Sequence, residues 1–396
     1  MEIADVLNKP LYVVGNASTV LEMSKTYPMQ PFADIVIDFL NALSKNLMRG
    51  KSGFSDVATF AFWCRKAHIL SEKAKYPECD SRLGRGVVFH STPSNVAVNF
   101  AFSFAAGLLA GNANIVRLPA KPFEQVDIIC KAINELLEEY IELKPYICML
   151  KFPPDRTLYD VFSSMCDNRV VWGGDNTIAE LRGSALPPRA NEITFADRFS
   201  VLAIDSDAYV SLPNKHEIAE HFYNDTFLTD QNACTSPRII LWYGSRLEEA
   251  KQLFWDEAIK SAEKYTLQPV QSVGKLFAFY DAAAHEDISL IPTSSNLITR
   301  IKVNKLTETL MNFKYNSGTF FEYDVNDFAN TRCLFTKQCQ TLSYVGFDKA
   351  KLHSMLMSIR PAGIDRIVPI GKTMDFSLIW DGNDLIRTMS RVIELF

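Results

Sequence analysis

Short apolar strands alternate with helical stretches between residues 86 and 205, and this alternation limits the folds open to the chain. Apolar runs of strand length end near His90, Leu118, Phe152 and Trp172. Helical patterns of roughly ten residues or more separate the strands, and this spacing is typical of crossover units in a parallel sheet. We therefore predict an α/β fold built on a doubly wound sheet.

Helices are also predicted outside and between these strands. The periodicity of apolar residues indicates helices over 32–50 and 56–76, from Val96, from Pro122 to about Tyr140, and over about 213–229. Proline is common at the first position of a helix, so Pro122 is expected there. The last of these helices leads towards an apolar strand that starts near Ile239.

A chain of 396 residues is longer than one hydrophobic core usually serves, so at least two domains are expected. The pattern places the first domain at 1–205, with N-terminal helices in 1–80, and a second α/β domain at 206–396. We expect the C-terminal part of the second domain to return to the first domain or to an oligomer interface.

Composition excludes several classes of protein. With 47% hydrophobic and 22% charged residues the chain is typical of globular proteins, and its net charge of -5 provides no basic surface for nucleic acid. The longest apolar run, from Val96 to Ala110, suits a buried helix better than a membrane span. Met1 to Asp5 is acidic and lacks the layout of a secretory signal. The eight cysteines are scattered without zinc-like spacing, which predicts reduced thiols in the cytoplasm and no metal.

Cys234 is the strongest candidate for a reactive side chain. It lies in the segment Asp230–Arg238, between a predicted helix and an apolar strand, and polar residues and Pro237 flank it. A thiol in such a setting is expected to face an opening. The alternative is a plain buried residue, because free cysteine often behaves as a small hydrophobe.

Three further positions follow directly after predicted strands. Asn95, Arg117 and Gly173 fall just past strand ends, where parallel sheets bind their ligands. Each also has a structural explanation. Asn95 would cap the helix from Val96, Arg117 would be a solvated residue at a strand end, and Gly173 with Gly174 would form a simple turn.

Four segments occur in a characteristic order: Pro93-Ser94-Asn95 through Arg117, Val171–Asp175, Asp230–Arg238, and Ile364–Gly371 with Trp380–Gly382. This ordered set resembles the aldehyde dehydrogenase superfamily and, more closely, its fatty acyl-CoA reductases of the bacterial luminescence type. The resemblance implies an aldehyde-dehydrogenase-like fold, with a doubly wound nicotinamide cofactor domain at 1–205 and a catalytic thiol domain at 206–396. The roles of Arg366 and of Trp380–Gly382 do not follow from it.

The resemblance implies catalytic roles for two residues. Cys234 would be the nucleophile, and the side-chain amide of Asn95 would join the backbone N–H of Cys234 in an oxyanion hole. Relatives that oxidise aldehydes carry a glutamate general base where this chain has Phe195. Without that base an acyl thioester is hydrolysed inefficiently, so reduction of the thioester is favoured.

The cofactor implied by the resemblance is NADPH. The usual GxGxxG fingerprint does not follow any predicted strand, and the superfamily also binds its cofactor without it. Pro93, Arg117, Gly173 and Gly174 would line the cofactor site. The guanidinium of Arg117 suits a 2′-phosphate, and the two glycines would allow a pyrophosphate to approach the start of the next helix.

The predicted reaction is therefore NADPH-dependent reduction of a long-chain fatty acyl-CoA or acyl thioester to the aldehyde, through an acyl-cysteine. The resemblance further implies a homo-oligomer that receives its acyl group from an acyl-protein synthetase. Two alternatives stay open. One is a reductase of a short acyl-CoA or an acyl phosphate, and the other is a thiol acyltransferase or thioesterase that uses no nicotinamide.

Overall fold

Two mostly parallel sheets organise the computed structural model, which describes residues 3–50, 53–94 and 96–395. The chain divides into two units. The first unit consists of Met1–Ala196 with Phe376–Phe396, and the second unit consists of Asp197–Asp375.

The first unit contains most of the predicted strands and helices. Its strands up to residue 196 are β1 (Leu11–Val14), β2 (Arg82–Gly84), β3 (Val87–Ser91), β4 (Ala113–Arg117), β5 (Ile147–Lys151), β6 (Asn168–Trp172) and β7 (Asn191–Phe195). Its helices are α1 (Ile3–Leu7), α2 (Ala17–Met23), α3 (Asp34–Arg49), α4 (Ser55–Trp63), α5 (Lys66–Lys73), α6 (Asn99–Leu109), α7 (Glu124–Leu137), α8 (Arg156–Met165) and α9 (Asp175–Arg182).

The sheet of the first unit has the strand order β1-β5-β4-β3-β6-β7, and only β1 runs antiparallel to its neighbour. Side chains of each strand alternate between two cores because the strand period is two residues. Val116 and Met149 pack with α3, α6 and α7 on one face, and Ile115 and Leu150 pack with α8 and α9 on the other. The predicted doubly wound sheet is confirmed.

Several helix boundaries differ from the prediction. The helix predicted over 56–76 is two helices, α4 and α5, because the chain is extended at Arg65. The break turns Ile69 towards the core that Phe60 already occupies. Pro122 was expected at the first position of a helix, but α7 begins at Glu124 after Phe123 as its N-cap.

The second unit begins with β8. Its strands are β8 (Phe199–Asp205), β9 (Pro237–Tyr243), β10 (Ile288–Ile291), β11 (Thr299–Val303), β12 (Thr319–Val325), β13 (Cys339–Val345) and β14 (Arg366–Pro369). Its helices are α10 (Ser206–Ser211), α11 (Lys215–Thr226), α12 (Leu247–Ala262), α13 (Pro269–Ala283) and α14 (Lys349–Ile359). The strand order is β10-β11-β12-β9-β8-β13-β14, and all pairs except β10 with β11 are parallel.

The division between the units lies between residues 196 and 197 and not near 205, because β8 is an inner strand of the second sheet. The last residues return to the first unit as β15 (Ile379–Trp380), β16 (Asn383–Asp384), α15 (Leu385–Met389) and β17 (Ser390–Val392). Strand β17 pairs antiparallel with β2, and Trp380 and Met389 are buried in the core of the first unit. The assignment of cofactor binding to the first domain and of catalysis to the second stays a prediction.

Candidate active site

Cys234 lies in a loop of the second unit that connects α11 to β9. A short 3-10 turn, Phe227–Thr229, extends α11 and leads into the loop. Asp230 and Gln231 then adopt left-handed backbone conformations with φ of 49° and 53°. This conformation is uncommon outside glycine, asparagine and aspartate, so Gln231 depends on contacts that hold it in place. The side chain of Cys234 is half-buried.

Gln231 supplies the main contacts that hold this loop. Its side chain is fully buried, and its Oε1 accepts hydrogen bonds from the backbone N–H of Gly318 at 2.8 Å and of Thr319 at 3.2 Å. Its Nε2 donates to the carbonyl of Thr319 at 3.2 Å. The hydroxyl of Ser200 donates to the carbonyl of Cys234 at 2.8 Å. The loop is thus tied to the starts of β12 and β8.

Arg238, at the start of β9, places a buried guanidinium beside the loop. Its side chain is 6% exposed. It donates to the carbonyl of Gln231, to the carbonyl of Tyr315 at 2.8 Å and to Oδ1 of Asn316 at 2.8 Å. Burial lowers the pKa of Arg238, while negative charge at nearby groups that include Cys234 opposes this shift. A cation in this position favours the thiolate form of a cysteine.

A polar cavity of about 250 Å³ borders the Cys234 loop. It is lined by Asp230, Gln271, Lys314, Tyr315, Asn316 and Ser317. The amide of Asn316 donates to Oδ1 of Asn232 at 2.7 Å, which connects the cavity wall to the loop. Sequence reasoning missed Gln271 and the segment 314–317, because both are far from the loop along the chain and carry no motif of their own.

The other cysteines differ from Cys234 in their surroundings. Cys64, Cys79, Cys130, Cys148, Cys166 and Cys339 are buried, and only Cys333 is half-buried like Cys234 among the described cysteines. Burial raises the pKa of Cys130 and of Cys166 to about 12, which keeps both thiols protonated at neutral pH. Cys234 is therefore better placed for chemistry than the buried thiols.

The predicted cofactor residues lie in the first unit, at the carboxyl edge of its sheet. Strand β3 ends just before Pro93, β4 ends at Arg117, and β6 ends just before Gly173. These strands are parallel neighbours, so their ends share one edge. The chain proceeds from β3 to β4 and β5 on one side and returns to β6 on the other, which places the topological switch point between β3 and β6. Open α/β sheets bind ligands at such a point.

Asn95 lies outside the described residues. The helix that follows begins at Asn99 and has Val98 as its N-cap, without a side-chain hydrogen bond. The alternative that Asn95 caps this helix therefore stays a prediction. Its role in an oxyanion hole stays a prediction.

Gly173 and Gly174 form the junction between β6 and α9. The N–H of Gly173 donates to the carbonyl of Phe195 at 3.1 Å. Gly174 is the N-cap of α9 and provides no side-chain acceptor for the first-turn amides. A Cβ added at Gly174 would meet nothing within 4 Å, so the space beside this residue is open. Uncapped amides at a helix start are suited to a phosphate group.

Arg117 is buried, and the alternative of a solvated arginine is wrong. It is 7% exposed, and its guanidinium donates to the carbonyl of Phe152 at 3.3 and 3.4 Å. The guanidinium carbon lies 5.1 Å from the ring centre of Phe152 and 5.6 Å from that of Tyr159. These contacts hold the side chain in one conformation, and cofactor binding by Arg117 stays a prediction.

The position predicted to lack a general base carries an aromatic stack. Phe195 ends β7 and is buried, and its ring centre lies 3.8 Å from that of Trp172. Asp197 follows outside any strand, and its carboxylate pairs with the ammonium of Lys314 at 2.9 Å. Within the described part of the chain, no group of three or more His, Cys, Asp or Glu side chains could hold a metal ion.

A sequence model of the family described as acyl-CoA reductase (LuxC) matches residues 66–271, just over half of the chain. The chain belongs to the LuxC family of acyl-CoA reductases. The resemblance inferred from its motifs is thereby confirmed, and the protein is an enzyme of the acyl reductase type. None of the helices in the described ranges of this LuxC-family protein is long and apolar enough to cross a membrane.

One similar protein is the long-chain acyl-protein thioester reductase of Vibrio harveyi. It is 25% identical over 344 residues, which cover 83% of this chain and 67% of the relative. This similarity and the family membership support reduction of a fatty acyl group to the aldehyde by the LuxC-family protein.

Solved structures of aldehyde dehydrogenases share the fold of the LuxC-family protein. A mutant form of the 1-pyrroline-5-carboxylate dehydrogenase of Thermus thermophilus has a TM-score of 0.64 at 12% identity, covering 94% of this chain and 83% of that one. An NAD-dependent benzaldehyde dehydrogenase of Corynebacterium glutamicum has a TM-score of 0.61 at 14% identity, covering 94% and 85%. The predicted aldehyde-dehydrogenase-like α/β fold is confirmed.

Proposed function

We propose that this protein reduces a long-chain fatty acyl thioester to the aldehyde with NADPH, through an acyl thioester on Cys234. The observation that carries the proposal is the half-buried thiol in a loop that Gln231 holds against β12. The buried guanidinium of Arg238 adds positive charge beside the same loop. Family membership supports acyl reduction, and the loop geometry supports Cys234 as its nucleophile.

The proposed chemistry begins with attack of the Cys234 thiolate on the acyl carbonyl. The resulting oxyanion is stabilised by the backbone N–H of Cys234, with Asn95 as the predicted second donor. Collapse of this adduct expels the thiolate of the donor and leaves the acyl group on Cys234. Reduction of this thioester gives a thiohemiacetal, which releases the aldehyde and regenerates the thiolate.

NADPH is the proposed cofactor, and it supplies a hydride when bound. The residues at the carboxyl edge of the first sheet fit a dinucleotide, because the uncapped amides of α9 and the open space at Gly174 suit a pyrophosphate. Pro93 and Gly173 adjoin the same switch point, and Arg117 is the proposed partner of the 2′-phosphate.

Phe195 supports reduction over hydrolysis. The position where oxidising relatives carry a glutamate is occupied by the phenyl ring of Phe195, which is buried and stacked on Trp172. A phenyl ring has no proton to exchange. A water molecule there would lack a general base, so the acyl thioester is expected to persist until it is reduced.

The donor and assembly are also proposals. The Vibrio harveyi relative is an acyl-protein thioester reductase, which supports a thioester donor charged by an acyl-protein synthetase or carried on CoA. We further propose a homo-oligomer in the cytoplasm. Sedimentation should give a mass that is a multiple of 44.7 kDa, and a mass of one chain would exclude the oligomer.

Replacement of the nucleophile tests the function. Cys234→Ala should abolish both acyl transfer from a radiolabelled long-chain acyl-CoA and aldehyde formation, while leaving NADPH binding near that of the wild type. Cys333→Ala, at the other half-buried thiol, is the matched control and should retain acylation. A denaturation-resistant label on the Cys234→Ala protein would place the nucleophile elsewhere. A series of acyl chain lengths separates long-chain from short-chain reductases.

A further inference from the structure

A second cavity lies in the second unit, at the same edge of the sheet as the Cys234 loop. Strands β12, β9, β8, β13 and β14 are parallel neighbours in that order, so the residues preceding each strand share one edge. The Cys234 loop precedes β9, while residues 334–338 precede β13 and residues 360–365 precede β14. Neighbouring strands are about 4.8 Å apart, so the start of β13 lies about 10 Å along this edge from that of β9.

The cavity at this end of the edge measures about 540 Å³ and is rich in positive charge. Arg332, Lys337 and Arg360 line it, against the single carboxylate of Glu308. Among the described residues, none of the three basic side chains has an ion-pair partner. The whole chain carries a net charge of -5, so the excess of positive charge around this cavity is opposite in sign to the net charge of the protein.

The backbone around these cations is held in place. The guanidinium of Arg198 donates to the carbonyl of Lys337 at 2.7 and 3.2 Å and pairs with the carboxylate of Asp365. The charge of Arg198 is thereby neutralised, while its contacts connect the segments that precede β13 and β14. The ammonium of Lys337 is left available for a ligand.

We infer that this cavity binds the phosphate groups of a CoA thioester, with the acyl end directed along the sheet edge to Cys234. The inference rests on the proposed function, because it assigns the site of the acyl donor. Guanidinium groups bind phosphate oxygens in pairs of charge-assisted hydrogen bonds, and lysine adds a point charge. A cavity of 540 Å³ exceeds the needs of a free phosphate and lies within the range of about 300–1,000 Å³ that small-molecule sites occupy.

Cys333 provides a test of binding that does not depend on activity. Its half-buried thiol lines the cavity, and Cys234 in the same sample is an internal reference. Adenosine 3′,5′-bisphosphate should slow alkylation of Cys333 by iodoacetamide about tenfold, as judged by peptide mass spectrometry, while adenosine should not. Unchanged alkylation would overturn the inference. If inorganic phosphate protects Cys333 as well as the bisphosphate does, the cavity binds a free anion. If NADPH protects Cys333 more strongly than the bisphosphate does, the cavity binds the cofactor. Either result excludes the CoA site.

A charge reversal tests the same site in turnover. Lys337→Glu should raise KM for a long-chain acyl-CoA about tenfold or more, because it removes an attractive charge and adds a repulsive one. KM for the same acyl group on N-acetylcysteamine, which carries no phosphate, should change by no more than about twofold. Lys349→Glu is the matched control, because Lys349 is exposed and follows the opposite, carboxyl end of β13.

The two levels of the proposal fail differently. If the wild-type protein reduces neither thioester, the proposed function is wrong, while protection of Cys333 still reports on the cavity. If the wild-type protein reduces both and Lys337→Glu keeps the wild-type KM for acyl-CoA, the proposed function stands and the CoA site is excluded.

Discussion

Single buried polar residues determine how the reactive loop is presented. Gln231 adopts a left-handed conformation and still makes hydrogen bonds through both ends of its amide, so the strained backbone and the buried amide support each other. Arg238 binds the carbonyl of the same residue and thereby couples its charge to the loop conformation. The environment of Cys234 thus depends on residues that are not expected to react.

Arg117 allows a test of cofactor choice at the residue scale. If its guanidinium binds a 2′-phosphate, Arg117→Ala should weaken NADPH binding about ten- to a hundredfold and affect NADH little, because a charge-assisted pair is lost. Titration of both dinucleotides by fluorescence measures the asymmetry. Arg117→Lys keeps the charge, so its affinity for NADPH should lie between that of the wild type and that of Arg117→Ala. An equal loss for both cofactors would refute the NADPH assignment and attribute the effect to lost packing on Phe152 and Tyr159.

His90 is a buried core histidine whose tautomer follows from its neighbours. The amide of Asn114 donates to the carbonyl of Asn112, so Oδ1 of Asn114 accepts from Nε2–H of His90 at 2.9 Å. Nδ1 of His90 then accepts from the hydroxyl of Ser103 at 2.8 Å, and Trp172 donates to that hydroxyl at 3.0 Å. Burial lowers the pKa of His90 to about 4, so the ring stays neutral in the folded protein.

The neutral ring predicts a pH dependence of stability. The unfolded chain takes up a proton near its ordinary pKa of about 6.5, while the folded protein does not, so stability falls as pH falls from there towards 4. Between pH 7 and pH 5 the free energy of unfolding should fall by about 2 kcal/mol on account of His90. Urea unfolding of His90→Gln should show a flatter profile than the wild type, and the exposed His353→Gln should not. A profile unchanged in His90→Gln would contradict the neutral assignment.

At the scale of elements, β12 carries a buried ionic network that connects it to its neighbours. Glu322 is 2% exposed and accepts from the guanidinium of Arg300 on β11 at 2.6 Å. It also accepts from the indole of Trp242 on β9 at 2.9 Å and from that of Trp255 on α12 at 3.0 Å. A carboxylate with this many donors is satisfied, and the network positions strands on both sides of β12.

Breaking this network should destabilise the second unit. Glu322→Gln leaves the guanidinium of Arg300 without its counter-charge, which typically costs about 3–5 kcal/mol for a buried pair. Thermal unfolding and the emission of Trp242 and Trp255 should both change. The control is Glu248→Gln, because Glu248 is 89% exposed in its pair with Lys251 and should contribute no more than about 1 kcal/mol. Equal effects of the two substitutions would show that burial does not decide the strength of these pairs.

At the scale of the molecule, the C-terminal segment returns to the first unit after the chain has completed the second. Strand β17 pairs with β2, and the guanidinium of Arg82 donates to the hydroxyl of Ser390 at 2.8 Å. Met389 is 1% exposed and belongs to the core formed with α3, α6 and α7. The stability of the first unit therefore depends on residues that follow the second unit along the chain.

Two methionines allow a matched test of whether the C-terminal segment is buried in the core of the first unit. Met389→Ala should lower the free energy of unfolding by about 2–5 kcal/mol, because it removes buried methylene groups and leaves a cavity. Met357→Ala, on the exposed side of α14, should change it by no more than about 0.5 kcal/mol, since Met357 is 62% exposed. Denaturant unfolding measures both. A loss for Met357→Ala as large as that for Met389→Ala would contradict the buried position of the C-terminal segment.

The sequence alone determined the class of fold and the residue to examine first. Strand–helix alternation is a local signal, because the periods of apolar residues depend only on neighbours in the chain, so β3 to β6 and the sheet type were predictable. Cys234 was recognisable from its own segment for the same reason. Local signals failed where a helix broke at Arg65, because there the packing of Ile69 decided the outcome.

Only the tertiary structure decided how the site is held and where the chain divides. Gln231 meets Gly318, and Arg238 meets Tyr315, through contacts between segments some eighty residues apart, for which no periodicity exists. The charge of the second cavity arises in the same way, from the ends of separate segments that precede β13 and β14. Such contacts follow from strand order, and strand order is set by the burial of whole faces and not by the residues at their ends.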